Sequence, residues 1–312
     1  MCRMSMLIAN EGYSLTQQNI EAQLNHERSM ALGNNSIPFR YGHFTDDTKY
    51  DLNGKLIHKD SFGYYFHNPN SEIIEKYPEA VFSIDKKNVM SNVDSSTDVS
   101  FMVARLATLG GKDISNALPF NLEHIVGSHN GTVAGLEQDG KSDSRYIMGV
   151  LDKYFSGNSS EIDVGDLEQT FIKQIVNPSQ DYSAMNLIVH VKASDKVIVL
   201  CSYNEGKVKS IQHGQYYTMV IASNESGVYI SSEDDFGEVM GNNSDKIYTQ
   251  NHTLYVIDKK TGEIKEYHLS DLEEAIHQKS EKSPEKSSEE EGVEGEQVSE
   301  GDSEEQSFEE AA

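Results

Sequence analysis

The chain has 312 residues, with 26 basic against 51 acidic side chains and a net charge near −25, and it is long enough to bury a sizeable core. A balance this acidic lacks the lysine and arginine clusters from which phosphate affinity is built, so no direct binding to DNA or RNA is expected. No apolar run approaches the roughly 20 residues of a membrane span, and Met4-Ser5-Met6-Leu7-Ile8-Ala9 is too short for a signal peptide's apolar region plus cleavage site, so no membrane association is expected either.

That opening run reads as a first strand. Ser14 followed three residues later by Gln17 has the form of a capping box and predicts a helix to about Ala31, ending before Gly33-Asn34-Asn35. A loop-rich stretch with short strands follows. Residues 80–84, 101–107 and 125–127 read as strands. Helices are predicted over 144–155, with Ile147, Val150 and Leu151 as a buried face, and over 166–176, where Leu167, Phe171, Ile172 and Ile175 recur at helical spacing. Strands are then predicted at 187–191, 196–200, 217–222, 228–231, 254–257 and 264–268, the last two joined through Lys259-Lys260-Thr261-Gly262 as a hairpin. Strands, two central helices and further strands make an α+β layered domain. From about residue 279 the composition turns to Glu, Ser, Gly and Lys with almost no apolar side chains, too few to offset ordering entropy. The expected organisation is therefore a folded unit over 2–272 and an acidic disordered tail over 273–312. A charge run of this kind usually serves as a solvated appendage; a docking arm for a basic partner is the sharper reading.

The only cysteines are Cys2 and Cys201. Removal of Met1 would leave Cys2 with a thiol and a free α-amino group together. An α-amino group has a reference pKa of about 7.7–8.0, near enough to neutrality to take the thiol proton and return it to a leaving amine. A disulfide to Cys201 would consume that nucleophile, so a reducing, cytoplasmic setting is expected. Cys201 itself reads as a buried strand residue. None of the eleven histidines forms a spaced motif with cysteine or carboxylate, and no phosphate-cradling glycine loop occurs, so no metal and no cofactor are expected.

Between residues 101 and 151 the sequence stops looking generic. Read by themselves, its pieces have ordinary explanations. His129-Asn130-Gly131, flanked by apolar residues, is a strong hairpin-turn signal that also lines up an amide and an N–H as oxyanion donors. Ser142 and Asp143 cap a helix start. Arg105 in an apolar strand pairs with a structural carboxylate, or grips an α-carboxylate by two points.

Taken in order, Cys2, Asp60-Ser61-Phe62-Gly63, Ala104-Arg105-Leu106-Ala107-Thr108-Leu109-Gly110, Asn116-Ala117-Leu118-Pro119-Phe120, His129-Asn130-Gly131, Ser142-Asp143-Ser144 and the strand ending in Ser223 resemble the glutaminase domain of class II glutamine amidotransferases, notably the glutaminase half of glucosamine-6-phosphate synthases. The resemblance covers roughly the first 225 residues. It implies the four-layer αββα sandwich of N-terminal-nucleophile hydrolases. It also implies Cys2 as nucleophile, Asn130 and Gly131 as oxyanion donors, Arg105 and Asp143 gripping the carboxylate and ammonium of glutamine, and Thr108 adding a hydroxyl to that grip. Ammonia would be released through a γ-glutamyl thioester. Leu106 and Leu109 stand where the family often has tryptophan and histidine. Full-length synthases continue into a second domain that uses the ammonia, and the residues after Asn224 are too few to form one, which implies a separately encoded synthase as partner. Two other functions fit the same residues: a stand-alone hydrolase of γ-glutamyl or other small linear amides, and a non-catalytic glutamine-binding or scaffolding module.

Overall fold

The structure, a computed structural model, describes residues 2–33, 57–109, 111–157, 161–208, 211–234, 237–240 and 244–282. Met1, Gly110, the loop-rich stretch up to residue 56 and the acidic tail beyond 282 lie outside the described residues.

The first strand, β1 (Cys2–Ala9), is buried over its whole length. Met4, Met6 and Ile8 on one face join the main apolar core, and Leu7 and Ala9 on the other join a second cluster with Ile20 and Leu24 of helix α1 (Gln17–Ala31). A strand covered on both faces loses polar alternation, which is why its sequence reads as nearly continuous apolar residues. The helix is capped two residues later than its sequence suggests. Thr16, not Ser14, is the N-cap: its hydroxyl accepts from Asn19 N at 3.1 Å while Asn19 Oδ1 accepts from Thr16 N at 3.1 Å.

Strands β2 (Ser61–Asn68) and β3 (Ser71–Tyr77) form a hairpin. The expected strand at 80–84 is instead a single 3₁₀ turn, Val81–Ser83. Its carbonyls are taken by a side chain, Arg28 donating to Val81 O and Ile84 O, so no neighbouring strand is needed. The short helix α2 (Lys86–Met90) leads to β4 (Val99–Arg105), and β5 (Phe120–Asn121) to β6 (Ile125–Ala134). β6 overturns the turn reading of His129-Asn130-Gly131, because the strand runs through all three and pairs with β7 (Asp181–Val191) to both ends. Helix α3 (Asp143–Gly157) buries Ile147, Val150 and Leu151 as expected. Helix α4 (Val164–Phe171) starts earlier than predicted, on an Asp163 cap, and finishes as a π-turn through Val176.

β8 (Lys196–Cys201) is followed by α5 (Ile211–Tyr217), which replaces the start of the strand expected at 217–222; β9 (Val220–Asn224) follows it. Then come β10 (Gly227–Ser231), α6 (Gly237–Met240), β11 (Asp245–Tyr248), and the hairpin of β12 (Thr253–Asp258) and β13 (Ile264–His268). The last element, α7 (Ser270–Lys282), carries the folded part past residue 272. Leu272 and Ile276 are buried, and Asn204 Nδ2 donates to Ser280 Oγ at 2.8 Å.

The result is an α+β fold of two sheets. One has the order β11-β9-β10-β1-β4-β2-β3, the other β13-β12-β8-β7-β6-β5, with antiparallel pairing throughout. Helix α1 packs on β1 and β4, β1 faces β6 of the other sheet, and α3 packs on β6. Among the described residues no helix is long and apolar enough to cross a membrane.

The reach of α7 gives a test. Ending the chain after Leu272 removes Ile276, whose burial contributes about 2–3 kcal/mol, and the Ser280 contact. Thermal denaturation of that truncation is expected to show a melting temperature lower by about 5 °C or more. A chain ending after Lys282 is expected to melt like the full chain, because residues 283–312 carry almost no apolar surface.

Candidate functional site

The site lies where β1 begins, between the two sheets. Alternation along β1 puts Cys2 on the same face as Met4 and Met6, toward the main core. Strand register sets its neighbours. Cys2 stands opposite Arg105 of β4, and Arg105 stands opposite Ser61 of β2, so three of the sequence motifs meet at one edge of the sheet. From the facing sheet, Asn130 accepts the Cys2 backbone N–H on Oδ1 at 2.8 Å, a buried bond between residues far apart in the chain. With Oδ1 committed to Cys2, the donor end of the Asn130 amide is Nδ2.

Gly131 follows with φ of 154°, and a Cβ there would lie 2.0 Å from Ala184 O and 2.9 Å from His129 Nε2. Only glycine lets β6 approach β7 this closely. His129 itself faces α3. Its Nε2 donates to Ala184 O at 3.2 Å, since a carbonyl can only accept, which leaves Nδ1 to accept from Ser144 Oγ at 3.0 Å. Burial lowers the basicity of this ring, with Asp143 acting in the opposite direction.

Asp143 opens α3 and is buried. Its Oδ2 accepts from Val133 N at 2.9 Å and its Oδ1 from Ser144 N at 2.8 Å, so the carboxylate joins the end of β6 to the start of the helix. Ser142 caps the same helix through Arg145 N at 3.3 Å. Arg105 is also buried and is engaged within its own loop: Nη1 donates to Gly111 O at 2.9 Å and Nη2 to Leu109 O at 3.0 Å. Thr108 sits half-buried in the bend of that loop.

Three polar residues escaped a role in the sequence reading, two of them, Asp60 and Asn116, inside the motifs and the third, Asn186, on β7. Asp60 holds the Arg105 loop at both ends, accepting from Ala107 N at 2.8 Å and pairing with Lys112 at 2.7 Å. Asn116 holds the approach to Asp143, accepting from Ser142 N at 3.0 Å and donating to Gly140 O at 3.1 Å. Asn186 pairs in register with Asn130, accepts from Ser202 N at 3.1 Å and donates to Tyr217 O. For Asn186 the available signal was a polar side chain amid apolar strand residues, which predicts burial with partners but not which partners.

Burial pushes the Cys2 thiol up. The positive charge of the amino terminus and Arg105 act against it, and the negative charges of Asp143 and Glu27 act with it. A thiol in this setting needs a base to become a nucleophile. Cys201 is a separate buried thiol, pushed up to about 12 by burial, with Sγ donating to Tyr217 O at 3.5 Å. Among the described residues no group of three or more His, Cys, Asp or Glu side chains is placed to hold a metal ion.

No family model and no curated protein matches the sequence. Among solved structures, the chain is similar to the glutamine phosphoribosylpyrophosphate amidotransferase of B. subtilis complexed with ADP and GMP, at 10% identity and a TM-score of 0.45. It is similar, at 11% identity and a TM-score of 0.46, to a structure described as the allosteric regulatory enzyme of purine biosynthesis. In both cases 86% of this chain is covered, and the chain spans 49% of the other protein's length. It is also similar to a glutamine aminotransferase class-II domain protein from Silicibacter pomeroyi, at 11% identity and a TM-score of 0.49, covering 86% of this chain and 99% of that one. The sequence motifs resemble proteins of the same kind.

The fit around Gly131 is open to a direct test. Gly131→Ala forces a methyl group onto the Ala184 carbonyl and is expected to destabilise by about 3 kcal/mol. Thermal denaturation should show a loss of about 6–12 °C.

Proposed function

We propose that this chain is a glutaminase of the class II amidotransferase type, on the four-layer αββα sandwich of N-terminal-nucleophile hydrolases, with Cys2 as nucleophile after removal of Met1. The observation that carries this reading is the Cys2 N–H held on Asn130 Oδ1 with Arg105 in register opposite Cys2. Residues separated by more than a hundred positions converge on the one atom that the proposed chemistry would turn into a catalytic amine.

In the reaction, the Cys2 α-amino group takes the thiol proton and Sγ attacks the side-chain amide carbon of glutamine. Asn130 Oδ1 orients that amine. Asn130 Nδ2 and the Gly131 N–H stabilise the tetrahedral oxyanion, which costs little because the strand already holds both donors in place. Collapse breaks the carbon–nitrogen bond, the amine returns its proton, and ammonia leaves. Water then cleaves the γ-glutamyl thioester by the same proton route, giving glutamate. Arg105, Thr108 and Asp143 hold the α-carboxylate and α-ammonium. The ammonia goes to a separately encoded synthase.

A specific observation favours a second reading. Arg105 gives one N–H from each Nη to its own loop, at Leu109 O and Gly111 O, and each Asp143 oxygen already accepts a backbone N–H. Clamps engaged in this way suit the other small linear amides, those without two free α-groups.

One set of assays separates the two. Intact mass should show a chain lacking Met1, and diazo-oxo-norleucine should add one label at Cys2; labelling confined to Cys201 sinks both readings. Cys2→Ala should abolish glutamine turnover. Loss of a charged clamp from a largely desolvated pocket costs about 2–5 kcal/mol. Arg105→Ala and Asp143→Ala should therefore each raise the half-saturating glutamine concentration by about thirtyfold or more. If both variants turn over glutamine like the parent, the substrate is an amide without free α-groups.

A further inference from the structure

The face of β1 opposite Cys2 packs on α1 through polar side chains. Ser5 Oγ donates to Glu27 Oε2 at 2.6 Å, and Ala104 N donates to Glu27 Oε1 at 3.0 Å. One carboxyl from the helix thus bridges β1 and β4, the two strands that carry Cys2 and Arg105. One helical turn earlier Gln23 repeats the bridge: Nε2 donates to Ser5 O at 3.0 Å and to Ser100 O at 3.3 Å, and Oε1 accepts from Ser100 Oγ at 2.6 Å. Both side chains are fully buried. A helix held to a sheet only for packing would use apolar residues here, as it does at Ile20 and Leu24.

We propose that Glu27 is a positioning residue for the Cys2 nucleophile: its carboxyl ties β1 to β4 next to the Cys2–Arg105 pair, and its charge, once formed, opposes ionisation of the thiol. The inference rests on the reading of Cys2 as nucleophile given above. Ala104 directly precedes Arg105, so a shift of β4 at the Glu27 bond moves the guanidinium relative to Cys2.

The groups facing Glu27 come from several elements. Ser5 and Arg3 lie on β1; Glu233, which pairs with Arg3 at 2.6 Å, adds a negative charge that acts with burial; Ala104 lies on β4, Tyr229 on β10, and Gln23 on α1 itself. Burial is the largest influence and pushes the Glu27 carboxyl up to about 8, while its bonds from Ser5 and Ala104 and the Arg3 charge act in the opposite direction. The fold therefore favours the neutral acid. The stability this contributes is complete below the ordinary carboxyl range and is lost as pH rises through about 8. As pH passes about 8 a negative charge appears behind β1, and that charge raises the Cys2 thiol further. Ionisation of Cys2 is thus held back as Glu27 ionises.

The test uses the full chain and a readout that needs no glutamine. The rate of iodoacetamide alkylation at Cys2 is followed from pH 6 to pH 10 by peptide mass spectrometry, with buried Cys201 as internal reference, in the parent, Glu27→Gln and Glu27→Ala. Glu27→Gln keeps the shape but not the charge. Its alkylation profile is expected to shift to lower pH by about half a unit or more, and its melting temperature should lack the fall that the parent shows from about pH 5 to about pH 8. Glu27→Ala should also lower kcat for glutamine about tenfold or more by freeing β4. Unchanged Cys2 profiles in both variants, with the fold retained by circular dichroism, overturn the proposal and leave Glu27 a packing residue. A shifted profile in a protein that never hydrolyses glutamine upholds the positioning role and overturns the glutaminase reading instead.

Discussion

Everything at the site depends on β1 being locked in the middle of a sheet. Hydrogen-bonded to β10 on one side and β4 on the other, and covered on both faces, the strand has no freedom to slide. A slip of one residue would turn Cys2 toward α1 and Arg3 into the main core. Parting the buried guanidinium from its Glu233 partner and placing it against Phe101 and Val103 makes that register inaccessible. The chain start, ordinarily the least ordered part of a domain, becomes one of its most constrained.

The second requirement is a polar contact across an apolar interior. Asn130 stands on β6 between Ser128 and Thr132 of the same face, and its bond to Cys2 N joins one sheet to the other. Register with Asn186, itself bonded to Ser202 N and Tyr217 O, extends this into a small polar patch. Buried polar groups raise the penalty for any alternative arrangement, because each loses its partner if the sheets shift. Gly131 allows the patch to exist, since any side chain would push β6 away from Ala184.

The loops around the site are held by the same device, a side-chain carboxylate or amide satisfying backbone groups. Asp60 secures the loop after β4, Asn116 the turn before α3, and Asp143 the joint between β6 and α3. Arg105 takes the carbonyls of its own loop, so its position and the loop's shape are set together. A substrate carboxylate reaching Arg105 would compete with Leu109 and Gly111 for it, which couples binding to loop shape. On the far side of β1, Glu27 and Gln23 do for the strands what Asp60 does for the loop.

Much of this was legible in the sequence. Apolar runs and helical spacing located β1, β4, α3 and the β12–β13 hairpin, because periodicity reports burial directly. The order of the residue types at positions 2, 105, 130, 131 and 143 carried the resemblance on which the proposed site rests. Where the reading failed, a local signal was overruled by a distant one. Asn130-Gly131 is a turn sequence forced into a strand by pairing with β7, Val81–Ser83 is a strand-like run curled because Arg28 takes its carbonyls, and α7 continues past residue 272 because Ile276 finds the core. Composition and pattern carry only the energetics of neighbours along the chain. Which strand lies opposite Cys2, which carboxylate stands behind it and which amide faces it are set by pairing and packing between residues far apart, and only the tertiary structure decides those.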